Sequence, residues 1–471
     1  MEKLVVAKFG GSASGIDGEF VSDIVDRIKQ LKQDSKIIAV FSAPLTMHDG
    51  KRKSLTDLAL YIGRKAEEGT APDITPIKQS YQKILRSVSD QYKSECQKIV
   101  DEFLAKATQA FSDAKESKSF ANEIRSRALA FSGEILMSYV MSYILKSAGL
   151  KSGVASYDFW PIITDNNIES TNFVASESVA RLGPLEELVR ANEVVSIGGF
   201  IGKTVDGIET TYERGGSDRT AADLGILFHK KYDTRIDFEK DSAVVSADPR
   251  IVSDDLEDIT QLSYNEARIA GMFGMKILDP IAIKEILENG VDMPIIITNM
   301  KNPSKTTTIL RRSDNQNGHP LKIVTGKKSC AILKIESVAA ESLLESLEKQ
   351  KRYSEFVILS PFIKDDIEFT RILFLDADYV KRNERYVLGF DPLATIQYNR
   401  GVITLIGDQM WRVHQIVSKA SSRIGEAGLN ILNMDAQEET SRVIIVVDDS
   451  ANNIETAIRA VHSERSKITF S

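Results

Sequence analysis

The sequence predicts an α/β fold with a mainly parallel sheet, followed by two smaller α+β units. A short apolar run at residues 4–7, a glycine turn, a helical pattern and a second apolar run at 37–41 occur in the order of a βαβ unit. A third apolar run at 194–197 again ends in two glycines. Beyond about residue 325, strands and helices are shorter and follow a ferredoxin-like order.

Length and charge narrow the class of protein. The 471 residues suggest about three domains, and 27% charged with 42% hydrophobic residues is ordinary globular composition. A net charge of −7 argues against binding nucleic acid and against a polybasic membrane anchor. The two cysteines, Cys96 and Cys330, argue against a disulfide scaffold. With no signal-peptide pattern and no run of about 20 apolar residues, we expect a cytoplasmic protein with neither a membrane nor a nucleic-acid partner.

The elements follow in order along the first 300 residues. After the first glycine turn, apolar residues at helical spacing over 20–31 predict a helix before the second strand. Residues from about 56 to 150 are mostly helical in pattern. The segment 201–218 predicts a glycine-rich hairpin, and a helix is expected to begin near Thr220. These patterns predict one α/β domain over residues 1–300.

The composition becomes polar and rich in turn residues near 301–325, which predicts a linker. Strand and helix patterns over 326–400 fit one small α+β unit. Residues 401–471 give the order strand, helix, strand, strand, helix, which predicts a second ferredoxin-like unit. The two units form a weak internal repeat.

The first segment with chemical potential is KFGGS at 8–12. Lys8 ends the first predicted strand, and Gly10 and Gly11 would let backbone N–H groups approach an anion at the start of a helix. Lys8 would then meet a phosphate as a mobile charge. The alternative is a tight turn with an exposed lysine.

The second segment is RGGSD at 214–218, which combines a planar cation, two glycines, a hydroxyl and a carboxylate. Arg214 is suited to bidentate binding of a carboxylate. The alternative is a polar loop in which Ser217 or Asp218 caps the following helix. Taken alone, Glu134 in SGE at 132–134 favours a helix start, and Lys276 in GMKILDP is a surface lysine.

Together and in this order, these segments resemble the aspartokinase family of the amino-acid kinase superfamily. The matching segments are KFGGS at 8–12, SGE at 132–134, GGFIG at 198–202, RGGSD at 214–218, SADPR at 246–250 and GMKILDP at 274–280. In the C-terminal region, VITLIGDQM at 402–410 and GEAGLNILNM at 425–434 resemble the effector-binding strand and loop of ACT domains. The resemblance implies a three-layer αβα kinase domain followed by two ACT domains.

The resemblance also implies roles for individual residues. Lys8 would hold the transferring phosphoryl group, and Asp218 would orient the cations around it. Thr56, Glu134, Phe200, Arg214 and Ser217 would bind aspartate. The predicted ATP-side residues are Gly10, Gly11, Ser12, Lys240, Arg250 and Lys276, and the predicted effector-side residues are Gly407, Gln409, Met410, Asn430 and Ile431.

The sequence departs from the family pattern near the expected nucleotide site. An ungapped count back from Asp248 places Phe-Glu-Lys-Asp at 238–241, where relatives usually carry Trp-Thr-Asp-Val. Lys240 could contact a phosphate or a ribose, or it could be a solvated loop lysine. In the second ACT unit, Trp411 replaces a commonly smaller residue, and crowding by its ring could weaken feedback.

The resemblance implies an ATP- and Mg²⁺-dependent aspartate kinase that makes 4-phospho-L-aspartate, the first step towards lysine, threonine and methionine. A carboxylate is already a nucleophile near pH 7, so positioning and charge neutralisation would supply the catalysis. Lysine or threonine is a possible effector, and a homodimer or larger assembly is implied. Two alternatives stay open: an amino-acid sensor with weakened turnover, and a kinase for another carboxylate or carbamate.

Overall fold

The computed structural model describes residues 1–213, 215–313, 319–349, 356–437 and 440–468. The chain divides into two compact units. The first contains Met1–Ala243 and Ala282–Thr308, and the second contains Val244–Ile281 and the chain from Ile309 onward.

Helices and strands are interspersed along the whole chain. Up to residue 240 they are β1 Lys3–Phe9, α1 Gly11–Ser14, α2 Val21–Leu31, β2 Lys36–Phe41, β3 Leu45–His48, β4 Lys51–Ser54, α3 Leu55–Glu67, α4 Thr75–Ile84, α5 Asp90–Ser117, α6 Asn122–Ser132, α7 Glu134–Ser147, β5 Ser152–Val154, α8 Ala175–Ala180, α9 Gly183–Ala191, β6 Val194–Gly198, β7 Ile201–Lys203, β8 Glu209–Thr211, α10 Gly216–Phe228 and β9 Asp233–Lys240. The later elements are β10 Gln261–Ser263, α11 Tyr264–Met272, α12 Pro280–Glu288, β11 Ile295–Asn299, β12 Thr306–Leu310, β13 Ile323–Glu336, α13 Ser337–Lys349, β14 Phe356–Lys364, β15 Ile367–Phe374, α14 Ala377–Arg382, α15 Glu384–Leu388, β16 Thr395–Ile406, α16 Ile416–Glu426, β17 Asn433–Ala436, β18 Arg442–Asp448 and α17 Asn453–His462.

The first unit is built on a sheet whose strands β11-β9-β1-β2-β6-β5 lie side by side in that order and run parallel. In β1, every residue after Lys3 is buried. Strands of a parallel sheet are covered on both faces, so they read as continuous apolar runs rather than alternating ones. The predicted α/β class is therefore confirmed.

The alternation of side chains along β9 shows helices on both faces of the sheet. Asp237 and Glu239 point towards α2, where both contact Arg27. Ile236 points the other way, towards Gly225 of α10, where a Cβ atom would lie 2.9 Å from its side chain. Successive residues of a strand face opposite sides, so α2 and α10 form two outer layers around the sheet.

The long helical region predicted between residues 56 and 150 is present as α3 to α7. The stretch Asn122–Ser147 is long and apolar enough to cross a membrane, but 94% of its most apolar 18-residue window is buried inside the protein. Its apolar character is explained by the protein core.

The second unit contains a six-stranded antiparallel sheet in the order β14-β15-β13-β16-β18-β17. The long strands β13 and β16 pair from Ile323 opposite Ile406 to Lys334 opposite Thr395, with register shifts on both sides of Cys330. Two separate apolar cores lie against this sheet. One includes Val324, Ile403 and residues of α16 and α17, and the other includes Leu333, Phe374 and residues of α13 and α14. Two ferredoxin-like halves thus share one sheet.

Candidate active site

A cavity of about 870 Å³ lies in the first unit at the carboxyl ends of β1, β2 and β6. This is the edge at which parallel α/β sheets bind their ligands. The cavity brings together eight of the residues that the sequence predicts for the site: Lys8, Gly11, Ser12, Thr56, Glu134, Phe200, Ser217 and Asp218.

Lys8 and Asp218 form the electrostatic centre of the site. The Nζ atom of Lys8 lies 2.8 Å from Oδ1 of Asp218, and the two side chains are only 11% and 8% exposed. Lys8 is the penultimate residue of β1, and Asp218 lies in the first turn of α10. Lys8 is therefore buried in an ion pair, and the alternative of a tight turn with an exposed lysine is wrong.

Helix α10 begins earlier than the sequence suggested. Its first residue is Gly216 rather than a residue near Thr220, and Gly215 precedes it with a left-handed φ of 88°. Glycine adopts this conformation without steric cost. Ser217 and Asp218 consequently lie inside the first turn, and neither side chain caps the helix. The capping interpretation is wrong, because the tight glycine turn starts the helix without a side-chain cap.

Glu134 is a buried carboxyl group opposite this centre. Thr56, at the start of α3, donates a hydrogen bond of 2.9 Å from Oγ1 to Oε1 of Glu134. Burial raises the pKa of Glu134 to about 7, although the Thr56 hydrogen bond works in the opposite direction. Oε2 of Glu134 is buried and has no hydrogen-bond partner among the described residues. Such an atom is ready to accept a hydrogen bond from a bound cationic group.

The position of Glu134 is fixed from two sides. The hydroxyl of the fully buried Tyr81 lies 2.9 Å from the carbonyl oxygen of Gly133 and 3.2 Å from that of Ser132. On the other side, a Cβ atom at Gly198 would lie 2.9 Å from the backbone of Glu134. Only glycine at position 198 lets β6 approach this turn so closely.

Phe200 follows the same glycine pair and has a left-handed backbone, with φ at 68°. Its N–H donates a hydrogen bond of 3.0 Å to Oγ1 of Thr220 in α10. A bulky residue in this conformation is strained, and such strain is concentrated at functional sites. The hairpin predicted after Phe200 is present as β7 and β8.

Lys240 is not a solvated loop residue. It is the last residue of β9, and its Nζ atom lies 3.8 Å from Oδ2 of Asp218. Burial is the main cause that lowers the pKa of Lys240, and the charge of Lys8 lowers it further while Asp218 raises it.

Several predicted ATP-side residues are not part of this cavity. Arg250 and Lys276 belong to the second unit, where Arg250 forms an ion pair with Asp248 and Lys276 is exposed. Gly10 precedes the short helix α1 beside the Lys8 ammonium group. Arg214, the predicted carboxylate clamp, lies outside the described residues.

The structure adds residues that sequence reasoning missed. Arg52, Arg64 and Arg125 line the cavity together with Tyr212. The basic run at 51–53 could have indicated Arg52 from the sequence. Arg64 and Arg125 lie on helices, and no sequence pattern marks them as site residues. Arg219, next to Asp218, is buried and binds Glu285 with N–O distances of 2.5 to 3.3 Å.

The predicted effector region lies beside a second cavity, of about 520 Å³, within the second unit. Gly407 and Met410 line it, and so does Trp411, whose side chain is 47% exposed. Gln409, Asn430 and Ile431 are not among its lining residues. The other lining residues include Ile416, Ser441, Arg442 and Val443.

Within the described ranges, no group of three or more His, Cys, Asp or Glu side chains is arranged to hold a metal ion. Asp218 is already flanked by two lysines. A magnesium ion in such a site would be held mainly by phosphate oxygens and water, as is usual for this ion.

The fold and the site define the class of protein: an α/β enzyme with a buried lysine–carboxylate centre at the carboxyl edge of a parallel sheet. The chain belongs to the amino acid kinase family, whose model matches residues 3–299.

The comparisons also confirm the resemblance to aspartokinases. The aspartokinase of Rickettsia felis is 25% identical over 326 residues, which cover 68% of this chain and 78% of that protein. A bifunctional chloroplastic aspartokinase/homoserine dehydrogenase of Arabidopsis thaliana is 24% identical over 97% of this chain. The match spans 50% of the length of that plant protein.

Two solved structures share the fold over nearly the whole chain. Aspartokinase III of E. coli, in complex with aspartate and ADP, gives a TM-score of 0.76 at 18% identity and covers 98% of this chain and 99% of its own. The aspartate kinase of Clostridium acetobutylicum gives a TM-score of 0.68 at 20% identity and covers 98% and 100%.

Proposed function

We propose that this chain is an aspartate kinase, which transfers the γ-phosphoryl group of ATP to the side-chain carboxylate of L-aspartate. The observation that carries the proposal is one cavity with a buried Lys8–Asp218 pair on one side and the buried carboxyl of Glu134 on the other. The first centre suits a phosphoryl group, and the second suits an ammonium group. The aspartate and ADP bound to E. coli aspartokinase III support the choice of substrates.

In this proposal Glu134 accepts a hydrogen bond from the α-ammonium group of aspartate through its unpartnered Oε2 atom. Ser217 and Phe200 shape the pocket from the start of α10 and from the glycine turn before β7. Arg214 is assigned to the α-carboxylate by resemblance. The side-chain carboxylate of aspartate is then left free to point towards Lys8.

The chemistry needs no general base. An oxygen of the aspartate side chain forms a bond to the γ-phosphorus of ATP, the bond to the β–γ bridging oxygen breaks, and ADP leaves with that electron pair. Lys8 neutralises charge on the transferring group, and Asp218 holds Lys8 in place. Mg²⁺ bound to the nucleotide phosphates would supply further charge neutralisation.

The proposal extends to organisation and regulation. We assign residues 1–300 to the kinase domain, 301–325 to a linker, and 326–400 and 401–471 to two ACT domains in a homodimer or larger assembly. The two ACT domains share the long strands β13 and β16, so that neither is a self-contained stretch of sequence. A lysine or threonine effector in the cavity beside Gly407 and Met410 is supported by its size and by the partly buried cation of Arg442.

The test is formation of aspartyl phosphate with Mg-ATP, trapped by hydroxylamine. We expect a hydroxamate signal that requires L-aspartate and is not produced with L-glutamate. Lys8→Ala should lower turnover by about two to four orders of magnitude because it removes the charge that the transferring group meets. Lys3→Ala, at the exposed end of the same strand, is the matched control and should leave turnover unchanged.

Folded protein that binds aspartate but yields no hydroxamate would contradict the kinase assignment. Hydroxamate formed equally well from glutamate would contradict the choice of acceptor.

A further inference from the structure

Two lysines, rather than one, converge on the carboxylate of Asp218. Strands β1 and β9 are parallel neighbours, and Lys8 and Lys240 lie near their adjacent carboxyl ends. Lys8 reaches Oδ1 of Asp218 at 2.8 Å, and Lys240 approaches Oδ2 at 3.8 Å. The carboxylate therefore lies between two ammonium groups.

The charges of this cluster do not balance. One carboxylate offsets one of the two lysines, so the three groups carry a net charge of about +1 when all are ionised. The side chains of Lys8, Asp218 and Lys240 are 11%, 8% and 23% exposed, which leaves little water to solvate the excess charge. A partly buried cation of this kind is costly unless an anion joins it.

The neighbouring acidic residues compensate this excess charge only weakly. Asp241 directly follows Lys240 and favours its ammonium form, but Asp241 is exposed to solvent, which screens its charge. Glu239 and Asp237 lie on the other face of β9, where both contact Arg27. Lys240 also lies outside the acceptor cavity, which Lys8 and Asp218 line. It approaches Asp218 through the oxygen that Lys8 does not contact.

We propose that Lys240 is a second phosphate-binding cation of the kinase site, which binds a nucleotide phosphate next to Asp218 while Lys8 binds the transferring group. This inference rests on the proposed function and deepens it. It adds a second cation to the reaction centre, at the oxygen of Asp218 that Lys8 does not contact. The bound phosphate brings the negative charge that the two-lysine cluster lacks.

The lowered pKa of Lys240 agrees with this role. Burial and the like charge of Lys8 both disfavour the ammonium form. An incoming phosphate would favour that form by adding negative charge at short range. A lysine present only to support Asp218 would have no such need for an external anion.

Lys240→Met removes the charge and keeps most of the side-chain volume. We expect kcat to fall about 100-fold and the KM for ATP to rise at least tenfold, while the KM for aspartate stays within about twofold. Lys240→Arg should recover most of kcat because it restores a cation. Lys231→Met, at an exposed lysine just before β9, is the control and should change none of these values.

Binding of ADP and of tripolyphosphate, measured by calorimetry, provides a readout that does not depend on turnover. Both should bind at least tenfold more weakly to the Lys240→Met variant. If wild-type protein makes no aspartyl phosphate, this measurement still tests Lys240 and separates the failure of the proposed function from that of the lysine.

Unchanged ATP parameters and unchanged ADP binding would overturn the proposal. A selective rise in the KM for aspartate would also overturn it, since Lys240 would then act through Asp218 on the acceptor. A fall in thermal stability with equal losses in every parameter, not recovered by Lys240→Arg, would show a packing role instead.

Discussion

At the scale of single residues, Glu134 carries the clearest functional signal. It is fully buried, it accepts a hydrogen bond from Thr56, and its pKa is raised to about 7 by burial. At neutral pH the group is therefore divided between its neutral and charged forms. Only the charged form attracts the ammonium group of an amino acid.

This divided state leads to a pH prediction for the free enzyme. Below about pH 7 Glu134 takes up a proton, so kcat/KM for aspartate should fall about tenfold per pH unit, while kcat at saturating aspartate changes less. The measurement is a pH profile from 5.5 to 9 at saturating Mg-ATP. Glu134→Gln should be slow at pH 8 and should lose the slope. A wild-type profile that is flat between pH 5.5 and 7 would contradict the assignment.

Ionisation of Glu134 should lower the stability of the fold as pH rises, whereas it raises kcat/KM for aspartate. A carboxyl group whose pKa is raised on folding stabilises the folded state fully below its unfolded pKa of about 4.5, and this contribution is lost as pH rises through about 7. The shift corresponds to about 3 kcal/mol. The unfolding free energy of wild type should therefore fall between pH 5 and 8, whereas Glu134→Gln lacks this loss. The difference between variant and wild type, measured with urea at each pH, should shift in favour of the variant as pH rises. Parallel pH curves for the two proteins would contradict this.

The sequence predicted some of these residues better than others. Lys8, Ser217 and Asp218 stand in short glycine-containing segments whose chemistry can be read locally. The Glu134–Thr56 contact joins residues that are 78 positions apart in the sequence. The sequence around either residue does not indicate that it contacts the other. Resemblance supplied the pair, whereas Tyr81, which holds the Glu134 turn, could be found only by folding the chain.

At the scale of elements, the start of helix α10 is held by a buried ion pair. Arg219 binds Glu285 of α12, and its guanidinium lies 4.3 Å from the centre of the Tyr212 ring. The hydroxyl of Tyr212 in turn donates a 2.5 Å hydrogen bond to Asp223. Because Arg219 directly follows Asp218, this network fixes the helix that carries the Asp218 carboxylate.

Breaking this pair on one side should be costly. Glu285→Gln leaves the Arg219 charge buried without its partner, and we expect a loss of about 3–5 kcal/mol of unfolding free energy. The double variant Arg219→Met with Glu285→Met should be closer to wild type, because it removes both charges together. Denaturant unfolding measures both. Glu186→Gln, at a surface site with exposed basic partners, should change stability by less than about 1 kcal/mol.

A loss below about 1 kcal/mol for Glu285→Gln would show that this pair does not hold α10. Equal losses for the single and the double variants would indicate packing rather than charge as the stabilising term.

Elements were predictable where periodicity is strong and less so where turn chemistry decides. The apolar runs of β1, β2 and β6 and the hairpin β7–β8 are in the predicted places. The start of α10 was misplaced because Gly215 and Gly216 read as a loop, while the left-handed φ of Gly215 lets the helix begin at once. The charged residues of β9 interrupt its apolar pattern, and only the folded chain brings Arg27 into contact with Asp237 and Glu239.

At the scale of the whole molecule, the two compact units do not coincide with the domains predicted from the sequence. Residues 244–281 fall within the family match of 3–299, yet they pack in the second unit. There the buried Glu266 of α11 forms an ion pair of 2.8 Å with Lys322, just before β13, and accepts a hydrogen bond from the backbone N–H of Asp408. One carboxylate thus joins α11 to the segment just before β13 and to the segment just after β16.

We expect Lys322→Met to destabilise this unit by about 3–5 kcal/mol, because the buried carboxyl group of Glu266 would lose its cationic partner. Hydrogen exchange should then speed up together in α11 and β13, since both depend on the same pair. Lys328→Met, at an exposed ion pair with Glu455, is the matched control and should leave exchange in α11 unchanged. Faster exchange confined to α11 would contradict the shared role.

The long strands β13 and β16 have a consequence for how the chain acquires this fold. The beginning of β13 pairs with the end of β16, and the 331–394 segment between them forms the other ferredoxin-like half. One half is therefore inserted into the other, and translation finishes the inserted half before the outer half has all its strands. A ribosome-bound chain ending near residue 400 would leave Ile323 without its partner Ile406. Residues 400–468 should therefore control the completion of this sheet, while the inserted half assembles earlier.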